Sequence, residues 1–347
     1  MKAVTVPSTR LRLADVATQA QVSTATVSRV LNDKPGVSDD VRQRVLAALT
    51  DLGYERPTRL HTRSGGLVGL VLPDVTNPIF PAFCDVITTM LHDRGYLPAL
   101  CAQTPGGPSE DQYVQLLLDQ GAAGIVFISC AHADTSADLA RYHLLRSRGV
   151  PVVLVNGHAA GVDAPCVSVD DQAAVDLALR HLTDLGHLRI GLAVGPLRYI
   201  PAQRKHDAFL HRLRADGVPD PAAHAVTTLF TVEGGQSAAG ELIDSGHTAI
   251  VCGSDLMALG AVRAARARGL RVPQDVSVVG FDDSRLLEFT DPALTTVRQP
   301  VAVMGRAVVD ALDAEIDGTP VTRTELLFAP ELVVRGSTGA GPAPGLG

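Results

Sequence analysis

The sequence predicts an α/β protein in two parts: an N-terminal three-helix helix-turn-helix domain, then a larger two-lobed sensor domain with parallel sheets. Three observations carry this. Between Leu13 and Tyr54 the chain reads LADVATQAQVSTATVSRVLNDKPGVSDDVRQRVLAALTDLGY, three short amphipathic helices with a tight turn between the first two. From Leu67 onward, continuous apolar runs alternate with amphipathic stretches. The 347 residues, 46% hydrophobic and 19% charged, are too many for one core and too apolar for disorder.

Helix one is expected from about Leu13 to Ala20. Helix two starts after Ser23, whose hydroxyl can cap the free amides of the first turn. Val27, Val30 and Leu31 then face inward, while Thr24, Ala25, Ser28 and Arg29 face out. Those outward groups suit the DNA major groove. Small residues allow close approach, Thr and Ala methyls can touch thymine methyls, and Arg can fork onto guanine. Helix three follows Ser38, with Val41, Val45, Ala48, Leu49 and Leu52 as its inward stripe.

Charge is divided the same way. Residues 1–64 hold ten Lys/Arg against six Asp/Glu, while the remainder holds 20 against 31, within a net charge of −7. The basic end is the helix-turn-helix end, as phosphate binding requires. Five scattered cysteines form no CxxC pair and fit buried thiols in a reducing cytoplasm. No run of about 18 apolar residues appears, so neither export nor a membrane partner is expected, and the localisation read from the chain is cytoplasmic.

In the sensor, strands are expected at Leu67–Leu72, Leu97–Ala102, Gly124–Ser129, Val152–Val155, Ile190–Val194, Ala225–Phe230, Ala249–Cys252 and Val276–Gly280. Helices fall between them, among others Phe80–Arg94, Ser109–Gln120, Asp171–Leu185 and Leu256–Arg268. Two α/β lobes account for this length, with ligand in the cleft at the carboxyl ends of the strands.

The runs DVA, VSTATVSRVLND and VSDDVRQRVLAALTDLGY resemble the DNA-binding domain of the lactose/galactose repressor (LacI/GalR) family. The resemblance implies that Thr24, Ala25 and Arg29 read bases while Ser23, Thr26 and Ser28 help to hold phosphates. It implies a domain at 1–56 and a hinge at 57–66, in which Leu60 aligns with a leucine that wedges into the minor groove. This hinge is shorter than the family's by about three residues, nearly one helical turn, and a plain linker is the other reading. The family has Gly where this chain has Gln21, and a positive φ there costs Gln roughly 1 kcal/mol.

GLVLPDVTNPIF, DRGY, PVVLVN, VSVDD, HLTDLGHLRIGL, CGSDLMALGAV, VSVVGFDD and DPALTTVRQP resemble the same family's sensor, which is like the periplasmic sugar-binding proteins. The fold implied is therefore a two-lobed periplasmic-binding-protein-like domain over 67–337. Lobe one would hold about 67–167 and 298–325, lobe two about 168–297, and 338–347 would be a flexible tail. By the same resemblance Asp282 is the ligand-binding acid, its carboxylate accepting adjacent sugar hydroxyls. Ser254 and Asp255 sit at a neighbouring strand end, Phe230 stacks on the ligand, Asn77, Ile79 and Phe80 form the first-lobe rim, and Asp170 is a further acid. The family's clamping arginine falls at Gln203, with Arg204 beside it. Either Arg204 substitutes, or the ligand lacks the group that arginine would hold. By the resemblance the helix with Ile79, Phe83, Val86, Ile87 and Met90 is a candidate for the dimer interface; ordinary packing on its own sheet is the other reading.

The function implied is a transcriptional regulator, a repressor, acting as a homodimer on an inverted repeat in double-stranded DNA. A small-molecule effector, a sugar, would control operator affinity from the cleft. Two alternatives share these features: a repressor with no effector response, and a carbohydrate-binding transport protein. No phosphate loop, zinc pair or nucleophile elbow is present, so neither catalysis nor a cofactor is expected.

Overall fold

A computed structural model describes residues 13–31, 37–52, 65–104 and 106–342. They fall into two compact units, one within 1–61 and one within 62–347. Leu60 and the rest of the expected hinge up to residue 64 lie outside the described residues.

The small unit has helices α1 (Leu13–Gln19), α2 (Thr24–Leu31) and α3 (Asp39–Asp51). Their facing stripes meet in one core of Val16, Ala17, Ala20, Val27, Val30, Val45, Ala48 and Leu49. The Ser23 hydroxyl accepts from the Thr26 amide at 3.1 Å, which caps the start of α2. Gln21, in the α1–α2 turn, has φ 51°, so the turn takes the left-handed form in which a side chain is strained.

The large unit carries two six-stranded sheets. The first has the order β11-β5-β4-β3-β1-β2 and is parallel throughout, with β1 Leu67–Leu72, β2 Leu97–Ala102, β3 Gly124–Ile128, β4 Val152–Val155, β5 Cys166–Val169 and β11 Glu325–Phe328. The second has the order β12-β10-β9-β8-β6-β7, with β6 Ile190–Val194, β7 Ala225–Thr227, β8 Ala249–Cys252, β9 Ser277–Asp282, β10 Thr295–Arg298 and β12 Glu331–Val333. Only β12 runs antiparallel there, against β10. The helices are α4 (Ile79–Asp93), α5 (Glu110–Asp119), α6 (Ala140–Ser147), α7 (Asp171–Asp184), α8 (Ile200–Ala215), α9 (Val232–Asp244), α10 (Asp255–Ala267) and α11 (Val301–Ile316). The strands in mid-sheet are buried along their length, for example β3, β4, β6 and β8, because helices cover both faces.

Several boundaries differ from expectation. The short strands β5, β10, β11 and β12 have too little apolar pattern to stand out; pairing with neighbours defines them. β5 belongs wholly to the first sheet and β10 to the second, so the chain crosses between lobes after Val169 and after Arg298. It crosses a third time between β11 and β12, which extends lobe two beyond 297. The strand expected at Ala225–Phe230 stops at Thr227. The tail expected at 338–347 is docked as far as it is described: Gly341 donates to the Leu185 carbonyl at 2.7 Å, and the Gly339 carbonyl lies 3.1 Å from His187 Nε2. Ile79, Phe83 and Ile87 of α4 are not an exposed interface, because they fill the first-lobe core. Met90 packs against that core, and Val86 faces Gly305 of α11.

Candidate functional site

On α2, Thr24, Ala25 and Arg29 are exposed, while Thr26 and Ser28 are half-buried beside them. Thr26 Oγ1 also lies 2.9 Å from the Ser23 hydroxyl. The opposite side of the helix, Val27 and Val30, is buried. The unit therefore offers one short polar face with a guanidinium, backed by a packed core.

In the large unit a cavity of about 370 Å³ opens between the carboxyl ends of the two sheets. Its wall follows from strand topology. In parallel sheets the residues just past each strand gather at one edge, and here Pro73, Ser129, Asn156, Pro196, Gly253, Asp282 and Gln299 all reach it. Three of these hold positive φ without being glycine: Ser129 at 49°, Asn156 at 58° and Asp282 at 118°. Backbone strain of this kind, of order 1–3 kcal/mol each, clusters at ligand sites because it turns a polar side chain inward.

Of the residues expected to meet an effector, Asn77, Ile79, Phe80, Phe230, Ser254 and Asp282 line the cavity. Asp282 is buried and accepts from Gln299 Nε2 at 2.7 Å; Gln299 in turn accepts from Asn156 Nδ2 at 3.1 Å. Burial, the nearby Asp255 carboxylate and the loss of water hold the Asp282 carboxyl well above its ordinary 3.8, against the pull of Gln299, Lys205 and Asn77. Phe230 leans toward Tyr199, with ring centroids 6.3 Å apart. Gly195 makes that possible, since a Cβ there would stand 2.1 Å from the Phe230 ring.

Three expected residues lie elsewhere. Asp170 caps α7, its carboxylate accepting from the Ala173 amide at 2.9 Å. Arg204 points away from the cavity and forks onto Glu325 of the other lobe, with both bonds at 2.7 Å. Asp255 is buried behind the wall, accepting from the Ser284 amide and the Thr296 hydroxyl, both at 2.7 Å. It steadies the turn that follows Asp282, and burial pushes it up to about 7.

Sequence reasoning missed Lys205, Asp171, Tyr199, Arg198, Asn156 and Gln299, all of them on the wall. Lys205 is ion-paired to Asp171, and its ammonium sits 3.8 Å from the Phe281 ring centre. A helical turn of about 100° per residue separates Lys205 from Arg204 and sends one into the cleft and the other to the lobe border. A signal for Asn156 was present, a polar residue directly after the apolar strand in PVVLVN, whereas Gln299 follows TTVR, which is too polar to stand out as a strand. Among the described residues no His/Cys/Asp/Glu group could hold a metal ion, and no helix is long and apolar enough to cross a membrane.

The fold is a two-lobed α/β domain with a cavity between its sheets, joined in one chain to a helix-turn-helix domain. Comparison with known proteins agrees. Residues 12–57 match the bacterial regulatory proteins of the lacI family, and residues 179–338 match the periplasmic binding protein-like domain. An uncharacterised helix-turn-helix transcriptional regulator of Streptomyces limosus is 61% identical over 330 residues, covering 94% of each chain. Among solved structures, the transcriptional regulator CelR–cellobiose complex superposes with a TM-score of 0.70 at 30% identity, covering 94% of this chain and 100% of that one. The lac repressor dimer bound to operator and the anti-inducer ONPF gives 0.69 at 26% identity, covering 95% and 99%. The chain belongs to the lacI family and is a DNA-binding transcriptional regulator.

Proposed function

We propose that the chain is a repressor that binds an inverted repeat as a homodimer and leaves or keeps its operator according to a sugar in the inter-lobe cleft. The observation that carries this reading is the cavity wall. The Asp282 carboxyl, the amides of Asn77, Asn156 and Gln299 and the Ser254 hydroxyl converge there with the aromatic rings of Phe80, Tyr199 and Phe230, the mixture that hydroxyl-rich rings require. The exposed Thr24, Ala25 and Arg29 are the proposed base-reading groups, with Ser23, Thr26 and Ser28 at the phosphates. A fitting precedent is the solved relative that holds cellobiose. Edge strand β2 leaves Leu97 and Leu100 exposed, which supports self-association along that edge.

One observation favours the effector-independent alternative: Arg204 and Glu325 tie the lobes together through side chains of the chain itself. Fluorescence anisotropy with a palindromic duplex decides between them. The repressor should prefer that duplex to scrambled DNA, and one member of a panel of mono- and disaccharides should shift operator affinity by about 5–150-fold. Operator binding untouched by any sugar that raises the melting temperature would select the effector-independent reading.

A further inference from the structure

Every cation on the cavity wall is already taken. Among the described residues the wall carries two, Arg198 and Lys205. Lys205 is paired with Asp171, both nearly inaccessible to water, and its remaining flank rests on Phe281. Arg198 lies 3.1 Å from an Asp134 carboxylate oxygen and covers the Tyr199 ring at 4.9 Å. The next cation, Arg204, is forked onto Glu325 and does not reach the cavity. Against these stand Asp74, Asp171 and Asp282 on the same wall.

A phosphate or carboxylate entering this space finds no unpaired cation among the described residues and, besides the Lys205–Asp171 pair, meets the carboxyl groups of Asp74 and Asp282 where water is scarce and charges act strongly. A neutral polyol meets the opposite situation. It needs hydrogen-bond donors and acceptors and no counter-ion, and the wall offers the Asp282 carboxyl as an acceptor with the uncharged Asn77, Asn156, Gln299 and Ser254. Lys205 still has N–H groups to give, since an ammonium carries three donors.

We propose that Asp171 sets the charge specificity of the cleft: by occupying Lys205 it makes the pocket accept uncharged, hydroxyl-rich ligands and refuse phosphorylated or carboxylated ones. The pairing is geometric as well as electrostatic. Asp171 opens α7 directly after the lobe crossover, and Lys205 sits on the facing helix α8, so the packing of these two helices delivers the carboxylate to the ammonium. The inference rests on the effector reading of the cleft.

The test compares the full chain with its Asp171→Asn and Lys205→Met variants, using calorimetry with cellobiose, maltose, glucose, glucose 6-phosphate and inorganic phosphate. Operator binding by each variant reports folding. The unaltered protein should bind at least one neutral sugar and bind glucose 6-phosphate about tenfold more weakly or not at all. Asp171→Asn leaves Lys205 buried without its counter-ion, so inorganic phosphate and glucose 6-phosphate should each gain about tenfold, a gain lost at high salt. Lys205→Met should weaken neutral sugars and gain nothing toward phosphate. An Asp171→Asn protein that binds operator yet shows no gain for phosphate overturns the proposal. Should that variant fail to fold, the unaltered chain decides alone: tighter binding of glucose 6-phosphate than of any neutral sugar overturns the proposal and leaves the effector reading standing. If no sugar, neutral or charged, binds the unaltered chain, the effector reading falls and takes this inference with it.

Discussion

The helix-turn-helix unit displays its proposed functional groups, whereas the sensor hides its own. Thr24, Ala25 and Arg29 stand exposed on one eight-residue helix whose other side is fully engaged in a small core. Asp282, Lys205, Asn156, Gln299 and Ser254 are all buried and come from different strand ends and helices of two sheets. The difference follows from the size of what each region meets. A duplex is larger than the domain, so a convex face on one element is enough and water satisfies its polar groups until DNA arrives. A small molecule must be surrounded, so the groups converge from distant chain segments, and being buried they must satisfy one another. The Asn156–Gln299–Asp282 chain and the Lys205–Asp171 pair are the result.

The sharpest way to separate the two regions is Asp282→Ala. Losing a hydroxyl acceptor and leaving the Gln299 amide unanswered should weaken effector binding by about 3 kcal/mol, roughly a hundredfold, with ligand-free operator affinity unchanged. Calorimetry and anisotropy on the same preparation check both halves, and an equal loss of operator binding would break the comparison. The same carboxyl gives a pH signature. Its folded value is raised, so the unliganded protein loses stability as pH climbs from 3.8 toward that value, because the folded form holds the proton more tightly than the unfolded chain. Sugar hydroxyls donate to the ionised form. Binding therefore releases a proton, and affinity should rise with pH over that range, then level off. Affinity that falls over the same range would refute the acceptor role.

Arg29→Ala is next in size. The loss of one forked base contact should cost about 1–3 kcal/mol of discrimination and leave non-specific, salt-sensitive binding in place. Effector affinity should not move. Unchanged sequence preference in competition with scrambled DNA would remove α2 from the groove. The smallest effect belongs to Gln21→Gly. With φ at 51°, glycine relieves strain and should steady the head by roughly 1 kcal/mol without altering which sequence it prefers. Hydrogen exchange of the head amides in the full chain measures this, and slower exchange is expected.

How well the sequence could be read differs between the regions for the same reason. In α2 the periodicity of Val27 and Val30 alone separates the buried from the exposed side, because one helix makes the whole surface. In the cleft, neighbouring residues part company. Asp170 turns back to cap its own helix while Asp171 enters the wall, and Arg204 leaves for Glu325 while Lys205 stays. No pattern of types distinguishes these pairs; only the packing of α7 and α8 does. Strand ends were more legible, since a polar residue at the carboxyl end of an apolar run reaches the crevice in any parallel sheet, as Asn156 and Asp282 do; Gln299 follows TTVR, whose polar pattern hid it. The α4 residues expected at an interface were read correctly as an apolar stripe. An amphipathic helix, however, does not say whether its stripe meets its own sheet or another chain.

The chain's own order of residues thus determined the two-part architecture, the two sides of α2 and the family, because these depend on local periodicity and capping within a few turns of backbone. Tertiary structure decided which acids and cations share the cavity and where the chain changes lobes. Those outcomes are set by contacts between segments far apart in the chain, such as Arg204 with Glu325, Asn156 with Gln299 and Lys205 with Asp171. Their angles and distances arise only once two sheets have formed and faced each other.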